Sequence, residues 1–319
     1  MKRLALMAQV LALGVGVLGA QTAHADAATA LHNFRVNLAQ ARLVLQEVDW
    51  ARTQARPALV RGMYSVTDQN ANLLAVVNEQ GTLFCYSTSD PCKVLRPGQG
   101  RASDLSDQEA AELRAEVMGA IDYGRLLKLT FGNGSGEPLV MLSAIDCPAC
   151  EILETKFANV PKDSNGTIYV IPGALQERRS GGLQKWQLVS RIWCAQDAAT
   201  AWRQYWASRA APAPRACEFG DPAVAELAFS GLGFALAALG QPGGNYTPRL
   251  IRQDGMNYRL GAPMPPLTAT PIPAGTGRWL SAAAMLPEGG AAASGDPAQG
   301  RAQNPANAVG DFFNKFLKK

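Results

Sequence analysis

Histidine is nearly missing from this sequence, and its scarcity excludes several kinds of catalytic and metal site. Only two of the 319 residues are histidine, His24 and His32. We expect His24 to be removed with a leader segment, so a Ser-His-Asp triad, a Cys-His nucleophile pair or a Cys/His zinc site would have to use His32. His32 lies in an N-terminal helical pattern, far in the sequence from every cysteine. We expect it to be a surface helix residue, and we expect no metal site.

A strong charge imbalance and a long internal apolar run are missing as well. The formal net charge is +4, and no basic stretch is interleaved with aromatic residues, so nucleic-acid binding is not expected. After residue 25 no stretch reaches the roughly 18 consecutive apolar residues of a membrane span.

The first 25 residues have the pattern of a cleaved signal peptide. Lys2 and Arg3 are followed by an apolar run over residues 4–20 and by Ala23-His24-Ala25. An uncleaved anchor is the alternative, but glycines interrupt the apolar run. We therefore expect cleavage before Asp26 and export to the periplasm.

Cysteine is present in an even number, which is typical of disulfide pairing in an exported protein. The six are Cys85, Cys92, Cys147, Cys150, Cys194 and Cys217. Proximity in the sequence favours pairs 85/92, 147/150 and 194/217, although other connectivities remain possible.

In the first part of the chain, the apolar spacing predicts a long helix followed by a small sheet. Helical periodicity covers residues 27–56 and ends at Pro57. Three runs, at residues 62–66, 72–77 and 82–86, predict a short antiparallel meander, and Cys85 and Cys92 would staple the loop that leaves it. Ser106 and Glu109 form a capping box, which predicts a helix reaching about Asp122.

The second part of the chain has the pattern of an α/β domain followed by a tail. Residues 138–145, 147–160 and 167–171 predict a strand, a helix and a strand, with the Cys147/Cys150 pair at the first junction. A Trp-rich helical region (183–208), a helix (222–239) and a hairpin turned at Asp254-Gly255 follow. Residues 263–319 are rich in Pro, Ala and Gly and predict mostly disorder, apart from a possible short helix at 278–285 and a basic amphipathic end.

The Cys147/Cys150 spacing favours redox chemistry. A thiol at a helix N-terminus meets the positive end of the helix dipole and free N–H groups, which favour thiolate. With only Pro148 and Ala149 between them, Cys150 can resolve a mixed disulfide formed at Cys147. We expect Cys147 to be the exposed attacker and Cys150 its more buried partner. A zinc site and a static disulfide are the alternatives, but no second pair has the spacing of zinc ligands.

Nearby acidic residues are expected to limit the acidity of Cys147. Asp146 precedes it, while Glu151 and Glu154 follow in the first turns of the predicted helix. All three would oppose a thiolate by Coulomb repulsion, although Asp146 could instead cap the helix.

Several of these patterns together resemble the DsbC/DsbG family of periplasmic disulfide isomerases. The match includes the CxxC, the segment Ile192-Trp193-Cys194-Ala195, the Ala-Pro-rich turn before Cys217, and Thr247-Pro248. The resemblance covers about residues 55–262. Pro148-Ala149 replaces the usual Gly-Tyr dipeptide, and the helix over 27–56, the 85/92 pair and the tail are additional.

The residue patterns and the resemblance together predict an α+β fold of five parts. These are a signal peptide (1–25), an N-terminal helix plus β-meander dimerisation domain (26–104), a linker helix (105–128), a thioredoxin-like catalytic domain with a helical insertion (129–262) and the tail (263–319). The resemblance also implies a structural Cys194/Cys217 disulfide and a cis-proline at Pro248, where Thr247 and Pro248 help to hold the substrate.

The resemblance further implies a thiol-disulfide oxidoreductase that isomerises or reduces wrong disulfides, with no cofactor besides its redox-active disulfide. Its partners would be unfolded or misoxidised exported proteins, a membrane thiol reductase of the DsbD type and a second copy in a homodimer. Two alternatives stay open: a disulfide oxidase of the same fold, and a non-enzymatic chaperone or assembly component of an envelope complex.

Overall fold

The computed structural model describes most of the chain between residues 26 and 280. The described residues are 26–41, 48–86, 92–96, 98–135, 138–157, 165–237, 247–253, 255, 257–258 and 278–280. The expected signal peptide, nearly all of the tail and its amphipathic end lie outside them. Within these ranges, no helix has the length and apolar character needed to cross a membrane.

The N-terminal half forms a six-stranded antiparallel sheet whose strands follow sequence order. The strands are β1 (Gln54–Pro57), β2 (Met63–Thr67), β3 (Leu73–Asn78), β4 (Leu83–Cys85), β5 (Lys93–Val94) and β6 (Ser103–Asp104). The predicted meander is confirmed as β2, β3 and β4. The predicted long helix is wrong at its C-terminal end, since helix α1 covers residues 26–40 and β1 pairs with β2.

Helix α1 covers one face of this sheet. Its side chains at helical spacing pack on the sheet in one apolar cluster, which contains Ala30, Phe34 and Leu38 of the helix and Val66 and Val77 of the sheet. The turn after β3 comes so close to α1 that a Cβ on Gly81 would lie 2.3 Å from the backbone nitrogen of Phe34. Gly81 also has φ of 64°, so both its backbone conformation and the lack of space for a side chain require glycine.

Helix α2 (Asp107–Ala120) begins at the predicted capping box. The Glu109 amide donates to Ser106 Oγ, and the Glu109 carboxylate accepts from the Ser106 amide at 2.9 Å. Arg96 adds a salt bridge to the same carboxylate at 2.7 Å. Together these contacts lower the pKa of Glu109 to about 2, the Ser106 amide being the main cause.

A second, five-stranded sheet contains the βαβ unit predicted around the cysteine pair. Its strands are β7 (Leu127–Phe131), β8 (Leu139–Ala144), β9 (Gly166–Gly173), β10 (Arg249–Ile251) and β11 (Asn257–Tyr258), in the order β11-β10-β8-β9-β7. Strands β8 and β9 are parallel and are connected through helix α3 (Pro148–Phe157). The hairpin β10-β11 is confirmed, and β10 runs antiparallel to β8. Strand β7, which pairs with β9, was not predicted.

Three further helices complete the fold, and one of them joins the two sheets. The Trp-rich region is two helices, α4 (Leu183–Trp193) and α5 (Ala198–Ser208), the second capped by Asp197. The apolar helix α6 (Pro222–Ala237) contacts β3 on one side and β9 on the other. Residues from both sheets therefore belong to one continuous hydrophobic core.

Three residues of the tail are fixed on α2, contrary to the expectation of a disordered linker or a short helix. Arg278, Trp279 and Leu280 donate their backbone N–H groups to the fully buried carboxylate of Glu116 at 2.8–3.0 Å. The Asn78 side chain of β3 donates to the Trp279 carbonyl at 2.9 Å. We call this arrangement the tail clip.

Candidate redox site

The two thiols lie where β8 passes into α3. The Cys147 amide donates to the Ala144 carbonyl at 3.1 Å, so the chain turns tightly before the helix begins at Pro148. Pro148 suits a first helical position because it needs no hydrogen-bond acceptor there. The Cys150 amide donates to Cys147 Sγ at 3.1 Å, and both cysteines are free thiols.

Thr247 and Pro248 lie against this turn although they are 100 residues away in sequence. The Thr247-Pro248 peptide bond is cis. Cys147 Sγ donates to the Thr247 carbonyl at 3.2 Å. The contact arises because β10, which begins at Arg249, pairs with β8.

Cys147 is the more acidic of the two thiols. Its pKa is lowered to about 6, mainly by the hydrogen bond from the Cys150 thiol. The Thr247 side chain and the backbone amides of Cys150 and Ala149 lower it further, while burial opposes them. A substantial fraction of Cys147 is therefore thiolate near neutral pH.

Cys150 is held as a neutral thiol. Burial is the main reason that its pKa is raised, and its hydrogen bond to Cys147 adds to the effect. The Ala144 amide donates to Cys150 Sγ at 3.5 Å, which only partly offsets the burial. Because the two pKa values shift in opposite directions, the two sulfurs have different roles: Cys147 is the nucleophile, and Cys150 is a protonated resolving thiol.

The expected exposure of Cys147 is wrong in degree. Cys147 is 4% exposed and Cys150 is 0% exposed, so the order is as predicted but the attacker is nearly covered. Exposed apolar side chains lie on the neighbouring elements, including Ile152 of α3 and Leu175 after β9, both 53% exposed.

Two of the three carboxylates expected to oppose the thiolate are neutralised by neighbouring cations. Asp146 accepts from the Leu175 and Gln176 amides and from Lys185 Nζ at 2.7–3.2 Å. Burial raises the pKa of Asp146, but these hydrogen bonds outweigh burial and lower it. Glu151 forms a salt bridge with Arg209 at the surface.

The third carboxyl, Glu154, is protonated near neutral pH. Burial raises its pKa to about 8, against the lowering effect of its hydrogen bond with Ser143. Ser143 Oγ lies 2.8 Å from Glu154 Oε1. The predicted repulsion of the Cys147 thiolate is therefore weaker than expected from three carboxylates, because Glu154 is protonated and Asp146 and Glu151 are paired with cations.

The other four cysteines form two disulfides away from these thiols. Cys85 and Cys92 link β4 to the start of β5. Cys194 and Cys217 tie the end of α4 to the turn before α6, where Trp193 stacks on Phe219 with ring centroids 4.1 Å apart. Among the described residues no cluster of His, Cys, Asp and Glu could hold a metal ion.

The sequence interpretation missed Glu154 as a buried site residue, and it missed the Asp146 contacts. A helical signal for Glu154 was present, since it follows Cys150 by four residues and so shares its face of α3. Nothing in the sequence indicated that Asp146 would bind the turn at Leu175 and Gln176 and the side chain of Lys185.

Comparisons with known proteins leave the family open. No family model matches the chain, and no curated protein matches it. A solved structure titled disulfide interchange protein, from Neisseria gonorrhoeae, is 25% identical and covers 41% of this chain and 81% of its own. Its TM-score is 0.30, so the likeness identifies no family.

Proposed function

We propose that this chain is a thiol-disulfide oxidoreductase that isomerises or reduces wrong disulfides in exported proteins. The observation that carries the proposal is the geometry of two free thiols at a helix start: the Cys150 amide donates to Cys147 Sγ at 3.1 Å, and the pKa of Cys147 is lowered while that of buried Cys150 is raised. An acidic nucleophile with a neutral thiol one helical turn away suits attack followed by resolution.

The reaction conserves electrons by exchanging sulfur partners. Cys147 thiolate attacks one sulfur of a substrate disulfide, the substrate S–S bond breaks, and a Cys147–substrate disulfide forms. The second substrate sulfur leaves as a thiolate and takes a proton from water. In isomerisation, another substrate thiolate then displaces Cys147; in reduction, Cys150 loses its proton and does so, which leaves a Cys147–Cys150 disulfide and a reduced substrate.

A thioredoxin-like domain is the fold that we propose for residues 129–262. The support is the strand order, the parallel β8 and β9 around α3, and the cis peptide bond at Pro248 against the cysteine pair. The redox pair would serve without a further cofactor. A membrane thiol reductase of the DsbD type would return an oxidised pair to the thiol form.

A homodimer through the N-terminal sheet would have to use an edge of that sheet. One face is covered by α1 and the other packs on α6 of the same chain. Strands β1 and β6 are the edges. We therefore propose edge pairing as the route for any dimer of this domain, because unpaired strand edges readily accept another strand.

Reactivation of scrambled, fully oxidised ribonuclease in a glutathione buffer tests the proposal. The mature protein should restore ribonuclease activity, and a Cys147→Ala variant should not. Reduction of a simple disulfide without reactivation would indicate a reductase alone. Inertness in both assays would contradict the proposal and favour a scaffold role.

A further inference from the structure

Asp146, the residue directly before the nucleophile, is held by three donors from two other elements. Its Oδ1 accepts from the Leu175 amide at 2.7 Å, and its Oδ2 accepts from the Gln176 amide at 3.2 Å and from Lys185 Nζ at 2.9 Å. The two amides belong to the turn after β9, and Lys185 lies in the first turn of α4. The carboxylate is therefore fixed at the start of the turn that presents Cys147.

Lys185 is the donor that carries a full charge. The two amides hold the Asp146 carboxylate in place, but they cannot cancel its negative charge. The Lys185 side chain is 39% exposed and that of Asp146 is 14% exposed, so the pair lies at the boundary between protein and solvent. A charge in that position is partly screened by water but still acts on its neighbours. The net charge of the pair is zero only while Lys185 is present.

Asp146 has little influence on the acidity of the thiol that follows it. The main influences on the pKa of Cys147 are hydrogen bonds and burial, and Asp146 is not among them. A carboxylate beside a thiol ordinarily raises the thiol pKa, because it repels the thiolate. Cancellation of the Asp146 charge by Lys185 explains why this repulsion is weak.

The ionisable groups of α3 are neutral or paired. Cys150 and Glu154 are protonated near neutral pH, and Glu154 titrates only at about pH 8. Glu151 forms a salt bridge with Arg209 of α5. None of these groups contacts Lys185, so a change at Lys185 acts on Cys147 through Asp146.

The charged groups on the other neighbouring elements have interactions of their own. In the turn after β9, on β10 and on α5 these are Glu177 with Ser180, Arg178 with Glu226, Arg179 with Asp68, Arg249 with the Leu236 carbonyl, and Arg203 with the Thr130 carbonyl. Each of these pairs stays intact when Lys185 is replaced.

We propose that Lys185 is a positioning residue of the redox site, which neutralises Asp146 and so sets the reactivity of the Cys147 thiol. The inference rests on the proposed function, in which Cys147 is the nucleophile. Without Lys185, the Leu175 and Gln176 amides would still hold Asp146 in place, with its charge uncompensated beside Cys147. The thiolate would then be less stable, and the reduced pair would be less stable relative to its disulfide.

The pH dependence of iodoacetamide alkylation of the full mature chain, with both thiols reduced, tests the proposal. Mass spectrometry of the digested protein confirms that Cys147 is the residue modified. Lys185→Met, which keeps the size but removes the charge, should raise the pKa of Cys147 by about 0.5 to 1 unit. Asp146→Asn, which keeps an acceptor for the Leu175 amide, should lower it by a similar amount, because Lys185 is then unopposed. The double variant should return to the native value.

The equilibrium with glutathione provides a second measurement. Oxidation of the Cys147/Cys150 pair consumes one glutathione disulfide and releases two glutathione thiols. At pH 7, Lys185→Met should shift this equilibrium about three- to five-fold toward the Cys147–Cys150 disulfide. A rise of 0.5 to 1 unit from a Cys147 pKa of about 6 weakens the thiolate stabilisation of the reduced pair by that factor.

Two further lysine variants are the controls. Lys185→Arg keeps the positive charge and should keep the native titration. Lys128→Met removes a charge from the exposed face of β7 and should also leave the pKa of Cys147 unchanged. Loosening of the turn alone would shift both single variants in the same direction, without recovery in the double variant. That result, or an unchanged titration in Lys185→Met, would overturn the proposal.

Alkylation measures the thiolate without any disulfide substrate, so the two proposals fail separately. The expected titrations in a protein that is inert toward disulfides would overturn the proposed function and support the role of Lys185. Ribonuclease reactivation that depends on Cys147, with titrations indifferent to Lys185, would overturn this inference alone.

Discussion

At the scale of single residues, the reactivity of Cys147 depends on a small set of donors. Thr247→Val keeps the backbone and the approximate size but removes the hydroxyl that lowers the pKa of Cys147. Thr247 Oγ1 has no hydrogen-bond partner among the described residues, so the pKa of Cys147 should rise by less than the roughly one unit that a full hydrogen bond to a charged group would give. The pH dependence of the alkylation rate measures it.

The control for this change is Thr130→Val on the exposed face of β7. It should leave the pKa of Cys147 unaltered. An unshifted titration in Thr247→Val would show that the hydroxyl has no influence on the thiolate.

Glu154 gives the protein a pH dependence of stability with a defined sign. Its folded pKa of about 8 lies above its ordinary value of 4.5, so its favourable contribution is complete below pH 4.5 and is lost as pH rises through 8. Glu154→Gln retains a partner for Ser143 without the charge. Relative to the native chain, the variant should gain on the order of a few kcal/mol in unfolding free energy between pH 5 and about pH 9.

Urea denaturation of the variant and of the native chain, at pH 5 and at about pH 9, measures this gain in unfolding free energy. The acidic Cys147 titrates in the same region with the opposite sign, since its lowered pKa favours the folded state as pH rises. Comparing the variant with the native chain at each pH removes that common term. Parallel stability profiles for the two proteins would refute the assignment to Glu154.

At this scale the sequence predicted which residues form the site, but it did not predict their exposure or their charge partners. A CxxC at a helix start and a Thr-Pro before a strand are local patterns, and both segments meet at the site. Exposure and charge pairing depend on distant segments. Asp146 is paired by residues 29 to 39 positions away, so its effect on Cys147 could not be judged from the local sequence.

At the scale of elements, the contact between β9 and α6 requires a glycine. A Cβ on Gly173 would lie 2.4 Å from the Phe229 ring, so Gly173→Ala must displace the ring or the helix. Overpacking of this kind costs about 1–3 kcal/mol. Gly100→Ala, where nothing lies within 4 Å of the added carbon, should change the urea midpoint little. Equal midpoints for the two variants would contradict the tight contact.

The secondary structure was predictable where the spacing of apolar residues agrees with the residues that begin or end helices and strands. The capping box at Ser106 marks the start of α2, and the apolar run of β8 marks a buried strand. Residues 54–57 misled the interpretation because the predicted helix was extended to Arg56, whereas pairing with β2 decides their conformation. Strands of two residues, such as β5 and β6, exist only through their neighbours and leave no sequence signal.

At the scale of the whole molecule, the tail clip should contribute strongly to stability. Trp279 is 4% exposed, and replacing such a side chain with alanine costs about 3 kcal/mol or more. Arg278→Ala is the control: its side chain is 51% exposed, so its ion pairs with Glu109 and Glu112 should contribute less than about 1 kcal/mol. Urea unfolding of both variants checks the difference, and similar losses would argue against a buried clip.

The tail clip also has a consequence for the order of events during biogenesis. Asn78 and Trp279 are 201 positions apart, so the N-terminal sheet is synthesised well before the segment that its Asn78 side chain binds. Contacts of such long sequence separation form slowly. Until then the Glu116 carboxylate has no N–H groups from the tail, and the thiols of Cys147 and Cys150 are made before the fold can close. A chain that ended before residue 278 would therefore bury the Glu116 carboxylate without these three donors.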